Sequence, residues 1–194
     1  MSKPSALVLA LAFLCLAVIP LHATNIVSNP GFETGSLSGW TSIGSSGWLV
    51  SAATTDSGTY SARTPCGGSG CISNPNAGLY QDLPTVNGQS YAFSFWYTNT
   101  GGSPNELQVL WGGVVVDDLI NQPGDAVWRQ VILNETATST TTRIQFNGRN
   151  DPVSVFIDDV SVAANGAGVP EPSTLALTGL GALLAGLYRK RRKI

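Results

Sequence analysis

The middle of the chain alternates short apolar runs with clusters of turn-forming residues. Val, Ile, Phe, Trp, Tyr and Thr dominate the runs, whereas Gly, Asn, Pro and Ser separate them, as in short β-strands joined by turns. No segment of this region carries a helical period, so we expect an all-β sandwich of two sheets. The pattern predicts eight strands: Trp48–Ala53, Ala77–Asp82, Ser90–Thr98, Glu106–Trp111, Val114–Leu119, Trp128–Asn134, Thr140–Asn147 and Val153–Val162.

Both ends of the chain carry an unbroken apolar run instead. The first run, Ala6–Ile19, follows Lys3 and precedes the small residue Ala23, which is typical of a secretory signal peptide over residues 1–23. Its fourteen apolar residues are too few for a retained spanning helix. We therefore predict that the mature chain begins at Thr24.

The second run, Leu175–Tyr188, lies between a proline-rich motif and a basic tail. Pro170 and Pro172 prevent a helix from passing through the motif, so the helix begins after them. Fourteen uncharged residues reach about 21 Å at the usual helical rise, which only just crosses a thin bilayer. The cations at 189–193 would hold the C-terminus in the cytoplasm. The pattern predicts a short transmembrane helix at about 174–188, and an ordinary membrane anchor is one interpretation of it.

The tail combines three pieces in a fixed order: the motif Val169, Pro170, Glu171 and Pro172, a Gly-rich apolar stretch, and an Arg/Lys cluster. This combination resembles the PEP-CTERM sorting signal of exopolysaccharide-producing Gram-negative bacteria, over residues 169–194. The resemblance implies recognition by an exosortase, a membrane sorting enzyme that cleaves near the motif. The helix would then anchor the protein only transiently in the inner membrane, and the mature protein would reach the cell surface or the extracellular matrix.

Two cysteines remain once the signal peptide is removed. Cys66 and Cys71 enclose four residues of a Gly-rich segment, and an exported protein meets an oxidising compartment. A zinc site would need further ligands, and the only histidine, His22, belongs to the signal peptide. We predict a local disulfide that closes a surface loop.

The mature domain is acidic and contains no lysine. Between Thr24 and Gly168 the sequence has four arginines and eleven carboxylates, which gives a net charge of about −7. Nucleic-acid binding needs a basic face, so no nucleic acid is expected as a partner. Such a surface suits an extracellular protein and is compatible with calcium binding.

Three further segments have a recognisable character. The domain opens with Asn25–Glu33 and Gly39-Trp40, has the strand Phe93–Tyr97 at its centre, and closes with Phe156–Val162. Together they resemble carbohydrate-binding-module-like jelly rolls of the galactose-binding-like class. The resemblance implies a jelly-roll β-sandwich over residues 24–163, followed by a linker at 164–168. An immunoglobulin-like sandwich is the alternative, although the two cysteines lie too close in sequence to bridge two sheets.

Asp158 is the clearest candidate for a metal ligand. Alternation along the closing strand places it on one face with Phe156 and Val162, so we expect its carboxylate at the core or its rim. A buried carboxylate must be paired, hydrogen-bonded or bound to a metal ion. In the resembled modules, an acidic residue of the opening motif and one of the closing strand hold a structural calcium ion. The resemblance thus implies Glu33 and Asp158, with Asp159 as a substitute, as Ca²⁺ ligands. Capping of backbone amides is the alternative.

Aromatic rings that could stack on sugars are the second candidate chemistry. Alternation in Ser90–Thr98 places Trp96 among small polar neighbours, on the face that carries Ser94 and Thr98. Trp96 is therefore the first candidate for a ligand contact, and Trp111, just before a Gly-Gly pair, is the second. Burial is the alternative for both, because aromatic residues fill much of a sandwich core.

Catalysis has little support in the sequence. The mature chain has no histidine, which excludes a Ser-His-Asp arrangement. Adjacent carboxylates such as Asp117 and Asp118 point to opposite faces of a strand. We expect a non-catalytic module that binds polysaccharide or acts as a structural component of the matrix. The alternatives are a glycoside-active enzyme with two separated carboxylates, such as Glu106 and Asp117, and a structural or adhesive protein without a sugar site.

Overall fold

Ten β-strands form in the part of the chain that the computed structural model describes, residues 23–44, 47–64, 78–150 and 153–166. They are β1 (Thr41–Ile43), β2 (Leu49–Ser51), β3 (Ser61–Thr64), β4 (Gly78–Pro84), β5 (Ser90–Asn99), β6 (Asn105–Trp111), β7 (Val114–Ile120), β8 (Arg129–Thr136), β9 (Thr141–Asn150) and β10 (Val155–Ala164). The eight predicted strands are confirmed with bounds that differ by a few residues. The sequence pattern did not predict β1 and β3.

The strands form two antiparallel sheets. Sheet A has the order β1-β4-β9-β6-β7, and sheet B has the order β2-β3-β10-β5-β8. Many hydrogen-bonded neighbours, such as β4 and β9 or β3 and β10, are far apart along the chain. The predicted all-β sandwich is confirmed.

The core between the sheets is rich in aromatic rings. Phe146 of β9 packs edge-on against Phe95 of β5, with ring centroids 5.0 Å apart, and lies 5.9 Å from Phe93. Trp40 of the opening segment lies 6.2 Å from the same ring. Since alternate side chains of the long strands are committed to this core, the remaining ones form two outer faces that a partner can reach.

A β-bulge in β10 changes the face on which its residues lie. Ile157 and Val162 both pair with core-facing aromatic residues of β5, although an odd number of positions separates them. One extra residue is therefore present in β10, and Asp159, with a φ of 47°, lies at this bulge. The prediction that Phe156 and Asp158 share a face with Val162 is wrong. Asp158 pairs with Trp96 of β5, which faces away from the core, so Asp158 lies on the outer side of sheet B.

Several predicted features lie outside the described residues. These are the signal peptide up to residue 22, the disulfide between Cys66 and Cys71, the sorting motif, the helix at about 174–188 and the basic tail. Within the described ranges, no helix has the length and apolar character needed to cross a membrane. At the end of the domain, β10 continues to Ala164, and the N–H of Asn165 donates to the carbonyl of Ser90. The folded domain thus extends slightly into the predicted linker.

Candidate functional site

The outer face of sheet A carries a connected polar surface, which we call the polar face. The register of three neighbouring strands creates it, because Asn147 of β9 pairs with Gln108 of β6, and Gln145 of β9 pairs with Tyr80 of β4. The residues that alternate with these positions, such as Phe146, belong to the core. The polar face consists of Tyr80, Asp82, Glu106, Gln108, Asp118, Arg143, Gln145, Asn147 and Arg149, with Leu110 as an apolar member opposite Gln145.

Amide side chains occupy the centre of the polar face. Gln145 Nε2 donates to Asn147 Oδ1 at 2.8 Å, and Gln108 Nε2 donates to Glu106 Oε1 at 3.0 Å. Asn147 is only 7% exposed, yet its Nδ2 group has no hydrogen-bond partner among the described residues and is not fully enclosed. The side-chain oxygens of Gln145 and Gln108 also accept no hydrogen bond from this part of the chain. The face therefore presents one fixed amide donor beside two acceptors.

A stacked ion pair borders the amides. The guanidinium of Arg143 lies over the ring of Tyr80, 3.6 Å from its centroid, and donates to both carboxylate oxygens of Asp82 at 2.7 and 2.8 Å. These hydrogen bonds from Arg143 lower the pKa of Asp82, so the pair stays ionised at a more acidic pH than an unpaired aspartate would. Both partners are exposed, so the pair adds little stability. It does orient the Tyr80 ring and the guanidinium together.

Two carboxyl groups lie near the β7 edge of the polar face. Burial raises the pKa of Glu106, and the neighbouring charge of Asp118 raises it further. Asp117, in contrast, pairs with the core residue Val109 and so lies on the opposite face of the sheet. Glu106 and Asp117, the two acids considered for glycoside chemistry, do not converge on one site.

The two predicted sugar-stacking residues have different environments. Trp111 is only 6% exposed, its ring packs against Tyr91 and Phe93, and its indole N–H donates to the carbonyl of Thr136 at 3.1 Å. A ring held in the core cannot stack on a sugar at the surface, so this position is a core residue instead of a ligand contact. Trp96 is half-buried on the outer face of sheet B, away from the polar face. Its role in binding stays a prediction.

Asp158 anchors the loop that precedes β3. The backbone N–H groups of Asp56 and Ser57 donate to Asp158 Oδ2 at 3.0 and 3.4 Å, and the N–H of Asp159 donates to Oδ1 at 2.8 Å. The side chain is fully buried, and this burial raises the pKa of Asp158 to about 6 although the hydrogen bonds oppose the shift. The carboxylate thus satisfies three backbone donors of the described chain.

Glu33 has a similar capping role in the opening segment. Its Oε1 atom accepts hydrogen bonds from the N–H groups of Thr59 at 3.0 Å and Tyr60 at 2.9 Å. Gly31 lies where the acidic side chains approach one another. A Cβ atom placed on this glycine would lie 3.6 Å from Oδ1 of Asp158 and 3.1 Å from Oδ1 of Asp159. In the described residues, however, no group of three or more His, Cys, Asp or Glu could hold a metal ion. Capping of backbone amides accounts for both carboxylates, and calcium binding stays a prediction.

Sequence reasoning missed the polar face, although one signal points to it. In β9, Ile144 and Phe146 alternate with Arg143, Gln145 and Asn147, so this strand has one apolar and one polar face. The apolar face identifies the core. Which polar residues meet on the outside depends on the pairing of β9 with β4 and β6, which alternation within one strand does not reveal.

Comparison with protein families identifies both parts of the chain. A family model described as a carbohydrate-binding domain (CBM_4_9) matches residues 24–157, which is more than half of the chain and includes the polar face. A PEP-CTERM protein-sorting motif matches residues 168–193. Both resemblances inferred from the sequence are confirmed. Together the two matches indicate an exported protein that reaches the cell surface or the extracellular matrix.

Solved carbohydrate-binding modules share the fold. TmCBM61 in complex with beta-1,4-galactotriose is 20% identical, with a TM-score of 0.56. The match covers 74% of this chain and 100% of that chain. The CBM22-1 xylan-binding domain from Paenibacillus barcinonensis Xyn10C is 17% identical, with a TM-score of 0.57 over 74% of this chain and 96% of that chain. The C-terminal family 22 carbohydrate-binding module of Clostridium thermocellum Xyn10B is 19% identical, with a TM-score of 0.56, and the match covers 75% of this chain and 99% of that chain.

These likenesses confirm the predicted jelly-roll sandwich, whereas none of the curated proteins matches the chain. At this level of identity, the solved modules establish the fold alone. The family match adds the relationship in sequence. The chain therefore belongs to the carbohydrate-binding domain family and carries a C-terminal PEP-CTERM sorting motif.

Proposed function

We propose that the protein is an exported, non-catalytic module whose polar face binds a polysaccharide chain. One observation carries this proposal: Asn147 is almost completely buried, yet its Nδ2 group has no partner among the described residues and remains reachable from the surface. An amide donor without a partner is unfavourable unless a ligand or water completes it. A sugar hydroxyl can accept a hydrogen bond from Nδ2 and donate one to the side-chain oxygen of Gln145 or Gln108.

The rest of the polar face fits the same ligand class. The Tyr80 ring, braced by Arg143, offers apolar surface of the kind on which a sugar ring can rest, and the amides supply the few oriented polar groups that give a binding site its specificity. The family relationship supports a polysaccharide ligand. Two structural relatives, a galactotriose complex and a xylan-binding domain, suggest β-1,4-galactan and xylan as the first ligands to test.

Asn147→Ala is expected to weaken polysaccharide binding about tenfold, because it removes one oriented hydrogen-bond donor. Affinity gel electrophoresis with soluble β-1,4-galactan and with xylan measures the change. Asn87→Ala is the matched control, since it truncates an exposed asparagine in the turn after β4 and should bind as the wild type does. Equal retardation of wild type and Asn147→Ala would remove the basis of the proposed site. A wild type that no glycan retards would instead favour a structural or adhesive role.

The proposal includes the absence of hydrolysis. Glu106 and Asp117 lie on opposite faces of sheet A, so they cannot act together as an acid and a base on one glycosidic bond. The structural relatives named above are binding modules or binding domains. Release of reducing sugars from galactan or xylan by the purified protein would overturn this part of the proposal.

The sorting motif supports processing by an exosortase-type enzyme of the inner membrane. In this proposal the motif Val169–Pro172 is recognised, the helix at about 174–188 anchors the chain transiently, and the domain is then released. Protein recovered from the extracellular matrix is expected to start near Thr24 and to end near the motif. Intact-mass spectrometry locates both ends at once. A mass that still includes residues 189–193 would show that the helix is a permanent anchor.

Structural calcium near Glu33 and Asp158 is a further part of the proposal. Calcium takes six to eight oxygen ligands, and backbone carbonyls and water can supply most of them beside two carboxylates. The approach of Asp158 and Asp159 to the opening segment supports this placement, with Asp159 as a substitute for Asp158. If calcium binds there, it raises the thermal midpoint of the domain. Asp158→Ala should then abolish that rise.

A further inference from the structure

The five tryptophans of the chain fall into two groups. Trp40, Trp48 and Trp111 are buried in the core, and the indole N–H groups of Trp40 and Trp111 donate to backbone carbonyls. Trp96 and Trp128 are only half-buried. Within the described part of the chain, neither of these two rings packs against another aromatic ring, and neither indole N–H has an acceptor. Packing in the core explains why tryptophan is present at the first three positions, but it does not explain Trp96 and Trp128.

Both unpaired tryptophans lie on the outer face of sheet B. Trp96 pairs with Gln130 across β5 and β8, so these two side chains share a face. Trp128 immediately precedes β8, and the alternation of this strand puts it on the same face as Gln130 and Ile132. Ile132 is 63% exposed, which confirms that the face is open at this edge. We call the surface around Trp96, Trp128 and Ile132 the tryptophan face.

The chemistry of the tryptophan face suits an uncharged, hydroxyl-rich partner. The neighbours of Trp96 on this side are small or neutral, namely Ser94 and Ser161 along the strands and Gln130 across from it. The one carboxylate opposite the ring, Asp158, is fully buried and accepts three backbone hydrogen bonds, so it presents no charge to the surface. Two rings with free N–H donors among hydroxyl and amide groups can stack on sugar rings and hydrogen-bond to their hydroxyls.

We propose that the tryptophan face is a second polysaccharide-binding surface, specific for an uncharged chain. It lies on the sheet opposite the one that carries the polar face, so one domain can hold two polysaccharide chains, one on each side of the sandwich. Two sites on one rigid domain link chains into a network and raise the overall avidity. Such cross-linking gives the exported protein a role in the cohesion of a polysaccharide matrix.

Three measurements with soluble β-1,4-galactan and xylan test the second surface. Light scattering follows network formation, affinity electrophoresis measures binding, and iodide quenching of tryptophan fluorescence reports whether polysaccharide covers Trp96 and Trp128. Wild type is expected to form large particles and to become protected from iodide. The double variant Trp96→Ala/Trp128→Ala should still bind through the polar face, with affinity reduced about tenfold, but should form no particles. Asn147→Ala should likewise bind without forming particles.

Two further variants separate folding defects from loss of the site. Trp96→Phe/Trp128→Phe keeps a ring at each position and should retain part of the particle formation. Val86→Ala truncates an exposed residue of the turn between β4 and β5 that belongs to neither face, and it should match wild type. Unchanged iodide quenching of the wild type in the presence of both polysaccharides overturns the proposal. The proposal is also overturned if Trp96→Ala/Trp128→Ala forms particles as the wild type does. It is overturned as well if this double variant changes only the self-association of the protein.

The outcomes also separate the two surfaces. If Asn147→Ala binds fully while Trp96→Ala/Trp128→Ala does not bind, the polar face fails as a site and the tryptophan face stands. The reverse pattern leaves the polar face as the only site.

Discussion

Phe146→Ala is expected to lower the free energy of unfolding by about 4 kcal/mol. Phe146 is fully buried in β9, in the middle of sheet A, and its ring contacts Phe93 and Phe95 from the opposite sheet and Trp40 from the opening segment. Truncation removes the buried ring and leaves a cavity that these neighbours can fill only in part. Domains of this size are stable by roughly 5–15 kcal/mol, so the variant would lose a large share of its stability. Urea unfolding followed by tryptophan fluorescence measures the loss.

Val86→Ala provides the comparison for this variant. Val86 is 65% exposed, and its truncation is expected to change the unfolding free energy by no more than about 0.5 kcal/mol. Phe146→Leu should fall between the two, because it retains much of the buried volume. A loss below about 1 kcal/mol for Phe146→Ala would contradict a core held together by these ring contacts. Because Phe146 precedes Asn147 in β9, Phe146→Ala is also expected to weaken polysaccharide binding.

Alternation within single strands was sufficient to predict much of this fold. Ser90–Thr98 assigns Phe93, Phe95 and Tyr97 to one face and Trp96 to the other, and the structure agrees because a regular strand repeats every two residues. The same rule, applied to Leu107, Val109 and Trp111, would have placed Trp111 in the core. The Gly-Gly pair after it suggested a turn and an exposed ring, but tertiary packing keeps the ring buried.

Features that depend on partner strands could not be predicted in this way. β1 and β3 are short, and their pairing with β4, β2 and β10 stabilises them more than their own sequence does. The bulge at Asp159 interrupts a run that reads as continuous alternation, so the outward position of Asp158 was missed. The polar face requires the register of three strands at once. The sorting motif was recognisable without any of this, because its chemistry is contiguous in the sequence. The signal peptide stays a prediction.

Asp158→Ala is expected to lower the free energy of unfolding by about 3 kcal/mol. The substitution leaves the N–H groups of Asp56, Ser57 and Asp159 without their acceptor, beneath a segment that excludes water from the side chain. Hydrogen bonds to a charged acceptor are stronger than neutral ones, and buried donors without partners are costly. Thermal and urea unfolding with 2 mM EDTA, at about neutral pH, measure this effect without calcium.

Asp125→Ala is the matched control for Asp158→Ala. Asp125 also accepts a backbone hydrogen bond, from Val127 at 3.1 Å, and pairs with Arg129 at 2.7 Å, but it is exposed to solvent, so its loss should lower stability far less than the loss of Asp158 does. A similarly small loss for Asp158→Ala would show that the loop before β3 does not depend on this carboxylate. Repeating both measurements in calcium separates the two roles of Asp158. Capping alone predicts the same loss in calcium and in EDTA, whereas a calcium ion held by Asp158 predicts a larger loss in calcium, because the wild type alone gains the binding free energy.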